Sequence, residues 1–223
     1  ARVWSFFREF DKSMDKYKKH IMGDASEEPM PLYIIPNRKV SLADVREGMR
    51  NHYEGTELSM TNDPGAGVYK VPYRWRPMTF KSEGREYFNE RAIATQQTGF
   101  VLIAQMRSWL PDAVGGILWF GVDDANTAVL TPMYTSITEI PECYRRGNGS
   151  MTEFSWTSAF WIHNWVANMA YNRYEPMIRD IRPVQKELED SYVDLVKNTD
   201  AKALELLKSS PAQATDYLTE VCG

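Results

Sequence analysis

The chain has 223 residues, of which 43% are hydrophobic and 25% are charged, and its formal net charge is -4. This length suits one large domain or two small ones, with enough apolar residues to form a core. The slightly acidic balance gives no basic footprint for nucleic acid, and the apolar runs are too short to span a bilayer. Two cysteines and three histidines form neither a disulfide framework nor metal-ligand spacing. We therefore expect no metal, no cofactor, and neither nucleic acid nor a membrane as partner.

The first part of the chain is predicted to form two helices followed by a long loop. Apolar residues recur at helical spacing from Val3 to Tyr17 and predict an amphipathic helix. Ser41, with Asp44 three residues later, is a variant of the capping box and predicts the start of a second helix. Residues 53–77 are rich in Gly, Pro, Asn and Asp. A loop of this length inside a compact domain is often functional.

The middle of the chain is predicted to form an antiparallel β-sheet. Four short runs are separated by turn residues: RAIATQ, FVLIAQMR, GILWFGV and TAVLTPM. The second run is nearly continuous in apolar residues, which predicts a strand covered on both faces. It ends in Gln105 and Arg107, and an arginine there is costly to bury without an anionic partner. Arg107 could extend to solvent, could pair with Asp63, Asp112 or Asp123, or could orient a group in an active site.

The last part of the chain is predicted to be helical. The segment SWTSAFWIHNWVANMAYNRY is apolar nearly all round and predicts a helix buried against the sheet. Residues 177–198 are amphipathic, with Pro183 at a kink or near the helix start. Two shorter helices are predicted, at 201–207 and 211–221. The order of helices, sheet and helices predicts an α+β fold in which helices pack on an antiparallel sheet.

We expect these parts to belong to one fragment of a larger domain, residues 1–223. Its predicted parts are the helices and long loop (1–86), the sheet (87–135) and the helical layer (150–223).

The common catalytic motifs are missing from this sequence, including GxSxG, the phosphate loop and HExxH. The stretch DPGAGVY does not connect a strand to a helix, so a structural turn is favoured over a phosphate site. Asp123 and Asp124 follow a strand, where surface-turn acids are the favoured interpretation and general acid or base catalysis is the alternative. Cys143 has arginines but no histidine nearby in sequence, which favours an inert thiol over a nucleophile.

Three segments in this order carry a family resemblance: HYEGTELSMTNDPGAGVYKVPYRWRP, RAIATQQTGFVLIAQMRSWLPDAVGGILWFGVDD and SAFWIHNWVANMAYNRY. They resemble the C-terminal half of the bacterial N-terminal-nucleophile cysteine dipeptidases, the family of the lactobacillal dipeptidase A type. The resemblance runs from residue 1 to about residue 220. It implies a four-layer αββα sandwich, which agrees with the predicted α+β order.

The resemblance also implies the mechanism of a thiol protease. The cysteine that begins the mature chain attacks the peptide carbonyl, and its own α-amine acts as the base, since an α-amino group has a pKa of about 7.7–8.0. An acyl-enzyme forms and water releases it. Residue 1 of this sequence is alanine, and neither cysteine carries a free α-amine. We therefore expect the nucleophile to lie outside this chain and the chain alone to be inactive.

The resemblance suggests supporting residues for catalysis. Gln105 and Arg107 match a Q.R pattern and are expected to approach the nucleophile or the substrate carboxylate. Asn62, within MTNDP, resembles the oxyanion-type asparagine of the related bile-salt hydrolases and penicillin acylases.

The resemblance suggests substrate-binding candidates as well. Arg76 and Thr95 match the RP and T.Q patterns of the family. Asp63 would bind a substrate ammonium or cap a turn, and the turn is the favoured interpretation.

The resemblance implies a dipeptide substrate and a partner surface. Half of a sandwich exposes an inner face, with large residues such as Phe100, Leu102 and Trp119. Uncovering three such side chains costs on the order of 10–15 kcal/mol, which is comparable to the stability of a whole domain. We expect the missing N-terminal portion of the same enzyme, or another copy in a homo-oligomer, to cover this face.

Two other functions stay open from the sequence. The chain could be a non-catalytic binding or structural module of the same fold, or part of an amide hydrolase of the bile-salt or penicillin acylase type. A bacterial protein, either cytoplasmic or exported, fits both.

Overall fold

The computed structural model of the chain describes residues 1–24, 26–74, 79–88 and 91–223. The described chain divides into two compact units, Ala1–Thr95 and Gln96–Gly223. Helices and antiparallel strands are mixed, so the fold is α+β. In these ranges no helix combines the length and the apolar character needed to cross a bilayer. The same ranges hold no group of three His, Cys, Asp or Glu side chains placed to bind a metal ion.

The first unit opens with two short helices where a single one is predicted. Helix α1 is Arg2–Phe10, a 3-10 segment occupies Lys12–Tyr17, and helix α2 is Lys18–Ile21. Asp11 interrupts the helix: its backbone is extended and its carboxylate accepts from the Ser13 N–H at 2.9 Å. An aspartate favours this local turn because its side chain competes with the helical backbone bonds.

The second predicted helix is confirmed as α3, Leu42–Met49. The Ser41 side chain accepts from the Asp44 N–H, and the Asp44 carboxylate accepts from the Ser41 N–H, so the capping box is complete. Gly48 allows the close approach of α1, because a Cβ at this position would lie 2.7 Å from the Phe6 ring.

The first unit also contains a β-hairpin that was not predicted from the sequence. Strand β1 is Thr79–Ser82 and β2 is Arg85–Phe88, paired antiparallel. Glu83 and Gly84 both have positive φ, as a two-residue type I′ turn requires. The predicted strand RAIATQ is wrong, because residues 91–96 form no ladder. Ala92 is buried because it packs with Tyr53 and Met60 of the long loop.

The second unit contains a three-stranded antiparallel sheet in the order β3-β4-β5. Strand β3 is Phe100–Met106 and β4 is Gly116–Val122, which confirms the predicted runs FVLIAQMR and GILWFGV. Strand β5 is Thr131–Tyr134, so only the last part of the predicted run TAVLTPM forms a strand. A single helical turn, α4 (Asp112–Gly115), connects β3 to β4.

The two faces of the sheet differ in burial. Val101 and Ile103 of β3 and Trp119 of β4 lie on the covered face, and Trp119 is only 1% exposed. On the opposite face, Phe100 is 63% exposed and Leu102 is 45% exposed. The prediction that β3 is covered on both faces is therefore wrong for this chain, as is the expectation that Trp119 is uncovered. Cross-strand register explains the difference, because Trp119 pairs with Ile103 and shares its face.

Three helices complete the second unit: α5 (Ala159–Asn172), α6 (Tyr174–Leu207) and α7 (Pro211–Cys222). Helix α5 buries small residues such as Ala167 and Ala170, whereas Trp165 is 56% exposed and Met169 is 60% exposed. The prediction of a helix buried nearly all round is thus wrong. The predicted helix at 201–207 is the last part of α6, which continues through Pro183 without interruption.

Polar side chains of α6 hold the segment that joins β4 to β5. The Gln185 amide donates to the Ala128 carbonyl at 2.6 Å, and the Glu189 carboxylate accepts from the Leu130 N–H at 3.0 Å. Gln185 and Glu189 are 2% and 3% exposed. These contacts satisfy buried backbone groups that no strand partner reaches, which is why polar residues are retained on a buried helix face.

Candidate functional site

The loop that carries Asn62 is held from inside by one arginine of the first unit. Arg74 is 8% exposed. Its guanidinium donates to the Met60 carbonyl at 2.8 Å and to the Val71 carbonyl at 2.7 Å, and it forms an ion pair with Asp63. The two anchors at Met60 and Asp63 flank Asn62, whose own side chain is exposed. The loop therefore presents the Asn62 amide to solvent from a fixed backbone.

Gly65 contributes to the same arrangement. A Cβ at residue 65 would lie 2.8 Å from the Arg74 Nε, so a larger residue would displace the guanidinium. Asp63 begins the 3-10 turn Pro64–Ala66, but its side chain makes no capping hydrogen bond there and pairs with Arg74 instead.

The other substrate-binding candidates of this unit are less defined. Thr95 is half-buried and closes the first unit. Arg76 lies outside the described residues. Their expected role in substrate binding stays a prediction.

Arg107, just past the end of β3, has a partner that the sequence analysis did not name. Its guanidinium forms a two-pronged ion pair with Asp200 of α6, with one contact at 3.1 Å. It also donates to the backbone carbonyls of Val114 and Gly115. The side chains of Arg107 and Asp200 are only 8% and 17% exposed, so the pair is largely desolvated. Each of the three guanidinium nitrogens of Arg107 therefore has at least one protein acceptor.

Tyr134 extends this cluster. Its hydroxyl donates to Asp200 at 2.7 Å, and the Arg107 guanidinium lies 6.0 Å from its ring centre. Burial, together with the hydrogen bond and charge of Asp200, raises the pKa of the Tyr134 hydroxyl. The hydroxyl therefore stays protonated and serves as a donor that completes the carboxylate's shell.

Gln105 lies two residues before Arg107, on the same side of β3. Its Oε1 accepts from the Trp119 Nε1–H at 2.9 Å. No described residue accepts from its amide N–H groups, so these donors are available on the partly exposed side chain. The amide N–H groups of Gln105 could therefore donate hydrogen bonds to a ligand.

The Asp123–Asp124 pair is buried, so its interpretation as surface-turn acids is wrong. Asp124 is fully buried, and its carboxylate accepts from the Thr127 N–H, the Thr127 hydroxyl and the Tyr171 hydroxyl at 2.9–3.0 Å. Asp123 has a φ of 68°, in the left-handed region, and accepts from the Asn164 amide at 3.3 Å. Burial raises the pKa of Asp123.

Burial shifts the pKa of both cysteine thiols and of one histidine so that the neutral form of each is favoured. Burial raises the pKa of both the Cys143 and Cys222 thiols, which supports the interpretation of Cys143 as inert. Burial also lowers the pKa of His163.

Two important residues escaped the sequence analysis, Arg74 and Asp200. Arg74 stands in a cluster of aromatic and basic residues, YRWR, where nothing distinguishes the buried arginine from its neighbour. Asp200 is 93 positions from Arg107 in the chain. A buried arginine predicts that a carboxylate partner exists, but it does not say which of the 30 acidic residues supplies it.

The comparisons with known proteins identify the class of protein. The model of Peptidase family C69 matches residues 1–187, which is most of the chain. This chain therefore belongs to Peptidase family C69.

Several curated relatives carry related names. The chain is 28% identical over 172 residues to "Probable dipeptidase B" of Lactococcus lactis, an alignment that covers 74% of this chain and 31% of the relative. It is 26% identical over 206 residues to "Probable dipeptidase" of Latilactobacillus sakei, covering 91% and 38%. It is 22% identical to "Dipeptidase A" of Lactobacillus helveticus, covering 86% and 33%. The chain thus spans about a third of the length of these relatives.

Proposed function

We propose that this chain forms part of a dipeptidase that hydrolyses dipeptides through an N-terminal cysteine thiol located outside the chain. The observation that carries the proposal is membership of Peptidase family C69 over residues 1–187. The relatives named as dipeptidases support the choice of substrate class. In the proposed reaction the thiolate attacks the peptide carbonyl, and the α-amine transfers the proton to the leaving amine. Water then hydrolyses the acyl-enzyme.

The exposed apolar face of the sheet supports a sandwich in which a second sheet covers β3. Phe100, Leu102 and Met106 alternate along this face and all three are at least 45% exposed. An antiparallel sheet with one face in water usually carries polar residues on that face. We propose that the covering layer comes from the rest of the enzyme, or from another copy, and completes an αββα arrangement.

The proposed roles of the site residues follow from their contacts. The exposed Asn62 amide would donate to the oxyanion that forms on the attacked carbonyl, on a backbone that Arg74 holds in place. Gln105 would use its available amide donors toward the substrate. Arg107 would support the site by holding the end of β3 in place and would not bind the substrate itself, because its guanidinium is already paired with Asp200.

The decisive experiment is a substrate panel on the full-length protein that contains this chain. We expect release of free amino acids from dipeptides, and loss of this activity when the N-terminal thiol is alkylated. Cleavage of glycine-conjugated bile acids without cleavage of any dipeptide would overturn the proposal. Turnover by the purified 223 residues alone would contradict the assignment of the nucleophile to another part of the protein.

Asn62→Ala tests the oxyanion role in the same protein. Loss of one oxyanion donor costs about 10²–10³ in kcat. We expect a fall of that size with little change in KM, because the interaction forms only in the transition state. Asn198→Ala, at an exposed position on α6, is the matched control and should leave kcat unchanged. Equal effects of the two substitutions would remove Asn62 from the mechanism.

A further inference from the structure

A cavity of about 400 Å³ lies in the second unit, apart from the residues assigned above. Its walls come from β4, from residues 143–151 and from the start of α5. This volume lies within the range of small-molecule sites, about 300–1,000 Å³.

The polar lining of the cavity favours an anion. Arg145 and Arg146 both line it, and none of its lining residues is an Asp or Glu. Arg145 has a loose, exposed ion pair with Glu139 at 3.4 Å. Arg146 is exposed and no described side chain pairs with it, so its guanidinium is available to a ligand. Burial raises the pKa of the Cys143 thiol, so this lining group is neutral and does not repel an anion.

The start of α5 provides a second, independent feature. Ser158 is the N-cap residue of this 14-residue helix, is 5% exposed and lines the cavity. An N-cap serine normally accepts a hydrogen bond from the first turn of its helix. The Ser158 hydroxyl makes no such bond, and no described residue provides it with another partner. Ser158 and two residues of the first helical turn, Phe160 and Trp161, line the cavity, so it borders a helix N-terminus, where the helix dipole favours negative charge.

Aromatic side chains also line the cavity. Phe120, Tyr144, Phe160 and Trp161 all contribute. The Tyr144 ring is fixed, because its hydroxyl bonds the Thr131 hydroxyl at 2.9 Å. Gly149 packs directly on the indole of Trp161, since a Cβ there would lie 2.9 Å from the ring. A fixed aromatic surface of this kind can pack against a flat apolar group, whereas an inorganic anion has no apolar surface to pack against it.

We propose that this cavity binds a small organic carboxylate with an aromatic or branched apolar side chain. The carboxylate accepts hydrogen bonds from Ser158, the first turn of α5 and Arg146, and the apolar group lies against the rings. The binding requires that the covering layer of the proposed sandwich leaves this end of the sheet open, because Phe120 and Val122 share the face of Leu102 and Phe100. The identification of the natural ligand as a peptide or free amino acid rests on the proposed function.

The test uses the full-length protein, isothermal titration calorimetry, and three probes: 3-phenylpropionate, its amide, and inorganic phosphate. We expect the carboxylate to bind at least tenfold more tightly than either of the others. Equal binding of acid and amide would overturn the recognition of the carboxylate. Binding of phosphate as tight as that of the acid would overturn the role of the rings.

Ser158→Asp locates the site without disturbing the helix. Aspartate is a good N-cap residue, so α5 is retained, while its charge opposes a bound carboxylate. We expect at least a tenfold loss of 3-phenylpropionate binding with unchanged circular dichroism. Ser210→Asp adds the same charge at the N-cap of α7, outside the cavity, and should bind normally. Undiminished binding by Ser158→Asp would contradict the proposal.

The experiments distinguish failure of the proposed binding site from failure of the proposed function. A full-length protein that binds 3-phenylpropionate in this way but cleaves no dipeptide would support the cavity and contradict only the proposed function.

Discussion

At the scale of single residues, the Arg107–Asp200 pair shows how a charge is accommodated at the end of an apolar strand. The ion pair is largely buried, two backbone carbonyls accept from the Arg107 guanidinium, and the Tyr134 hydroxyl donates to Asp200. Such a pair contributes little against an apolar replacement, but removal of one partner is costly because the other charge stays buried alone.

Arg107→Met should therefore destabilise the protein by about 3–5 kcal/mol, measured by urea unfolding. The double variant Arg107→Met with Asp200→Leu should recover most of the loss, since no unpaired charge remains. Arg145→Met is the control, because its exposed pair with Glu139 contributes about 0–1 kcal/mol. Similar losses in Arg107→Met and Arg145→Met would contradict the role of burial.

His163 should make stability depend on pH. Burial lowers its pKa in the folded protein, whereas the unfolded chain protonates near the ordinary value of about 6.5. The unfolded state thus binds more protons below pH ~6.5, and the free energy of unfolding falls as pH drops from there toward the folded pKa. His163→Gln should lose less stability between pH 7.5 and 5.5 than the unchanged protein does, in urea titrations at both values. Parallel losses in the two proteins would show that other groups set the pH dependence.

At the scale of elements, helix α6 contains an internal proline that the fold tolerates. Pro183 is the tenth residue of this 34-residue helix and is exposed to solvent. Its ring cannot donate to the carbonyl four residues earlier and crowds that carbonyl. The helix continues because Arg182 and Gln185, on either side of the proline, both bind the backbone of Asn126.

Pro183→Ala should stabilise the protein. An interior proline costs a helix about 3 kcal/mol, and the lower entropy of the unfolded proline chain offsets about 0.4–1 kcal/mol. We expect a net gain of about 2–2.6 kcal/mol, seen as a higher thermal midpoint. Pro211→Ala is the control, because at the first position of α7 the missing N–H has no helical partner, and its effect should stay within about 0.5 kcal/mol. A gain at Pro211 equal to that at Pro183 would refute this explanation.

At the scale of the whole molecule, the uncovered face of the sheet dominates the behaviour expected of the isolated chain. Apolar side chains that remain exposed together on one face promote association. The same strand β3 carries the covered face, so the two faces can be compared by neighbouring substitutions.

Leu102→Ser should reduce self-association and dye binding of the isolated chain, measured by analytical ultracentrifugation and ANS fluorescence, with little change in stability. Val101→Ser, one residue earlier and only 2% exposed, should instead destabilise the chain by about 2–4 kcal/mol. If the unchanged chain is a monomer that binds no ANS, this face needs no partner and the proposed sandwich loses its support.

Much of the fold follows from local patterns in the sequence. The capping box at Ser41 and the apolar run FVLIAQMR depend on neighbours within a few residues, and a helix and a strand form at these places. The hairpin β1–β2 was not predicted because its Glu83–Gly84 turn lacks the asparagine or aspartate that usually marks a type I′ turn. Burial was harder to predict. The apolar sequences of α5 and β3 indicate buried faces, but they do not show whether the layer that covers a face belongs to this chain.

The candidate site is predictable only in part. Residue types and motif resemblance select Asn62, Gln105 and Arg107. The side chains that hold them, Arg74 and Asp200, depend on contacts across 14 and 93 positions of the chain. No local pattern encodes which of many equivalent charges will be adjacent after folding.

The contacts of α6 also restrict how this sequence can change its length. Arg182 binds Asn126 and Asp200 binds Arg107, and the two helix positions are separated by about five full turns. One inserted residue between them would rotate Asp200 by about 100° away from its arginine. Descendants of this sequence can therefore exchange side chains freely on the solvent side of α6, whereas insertions and deletions between Arg182 and Asp200 should be rare.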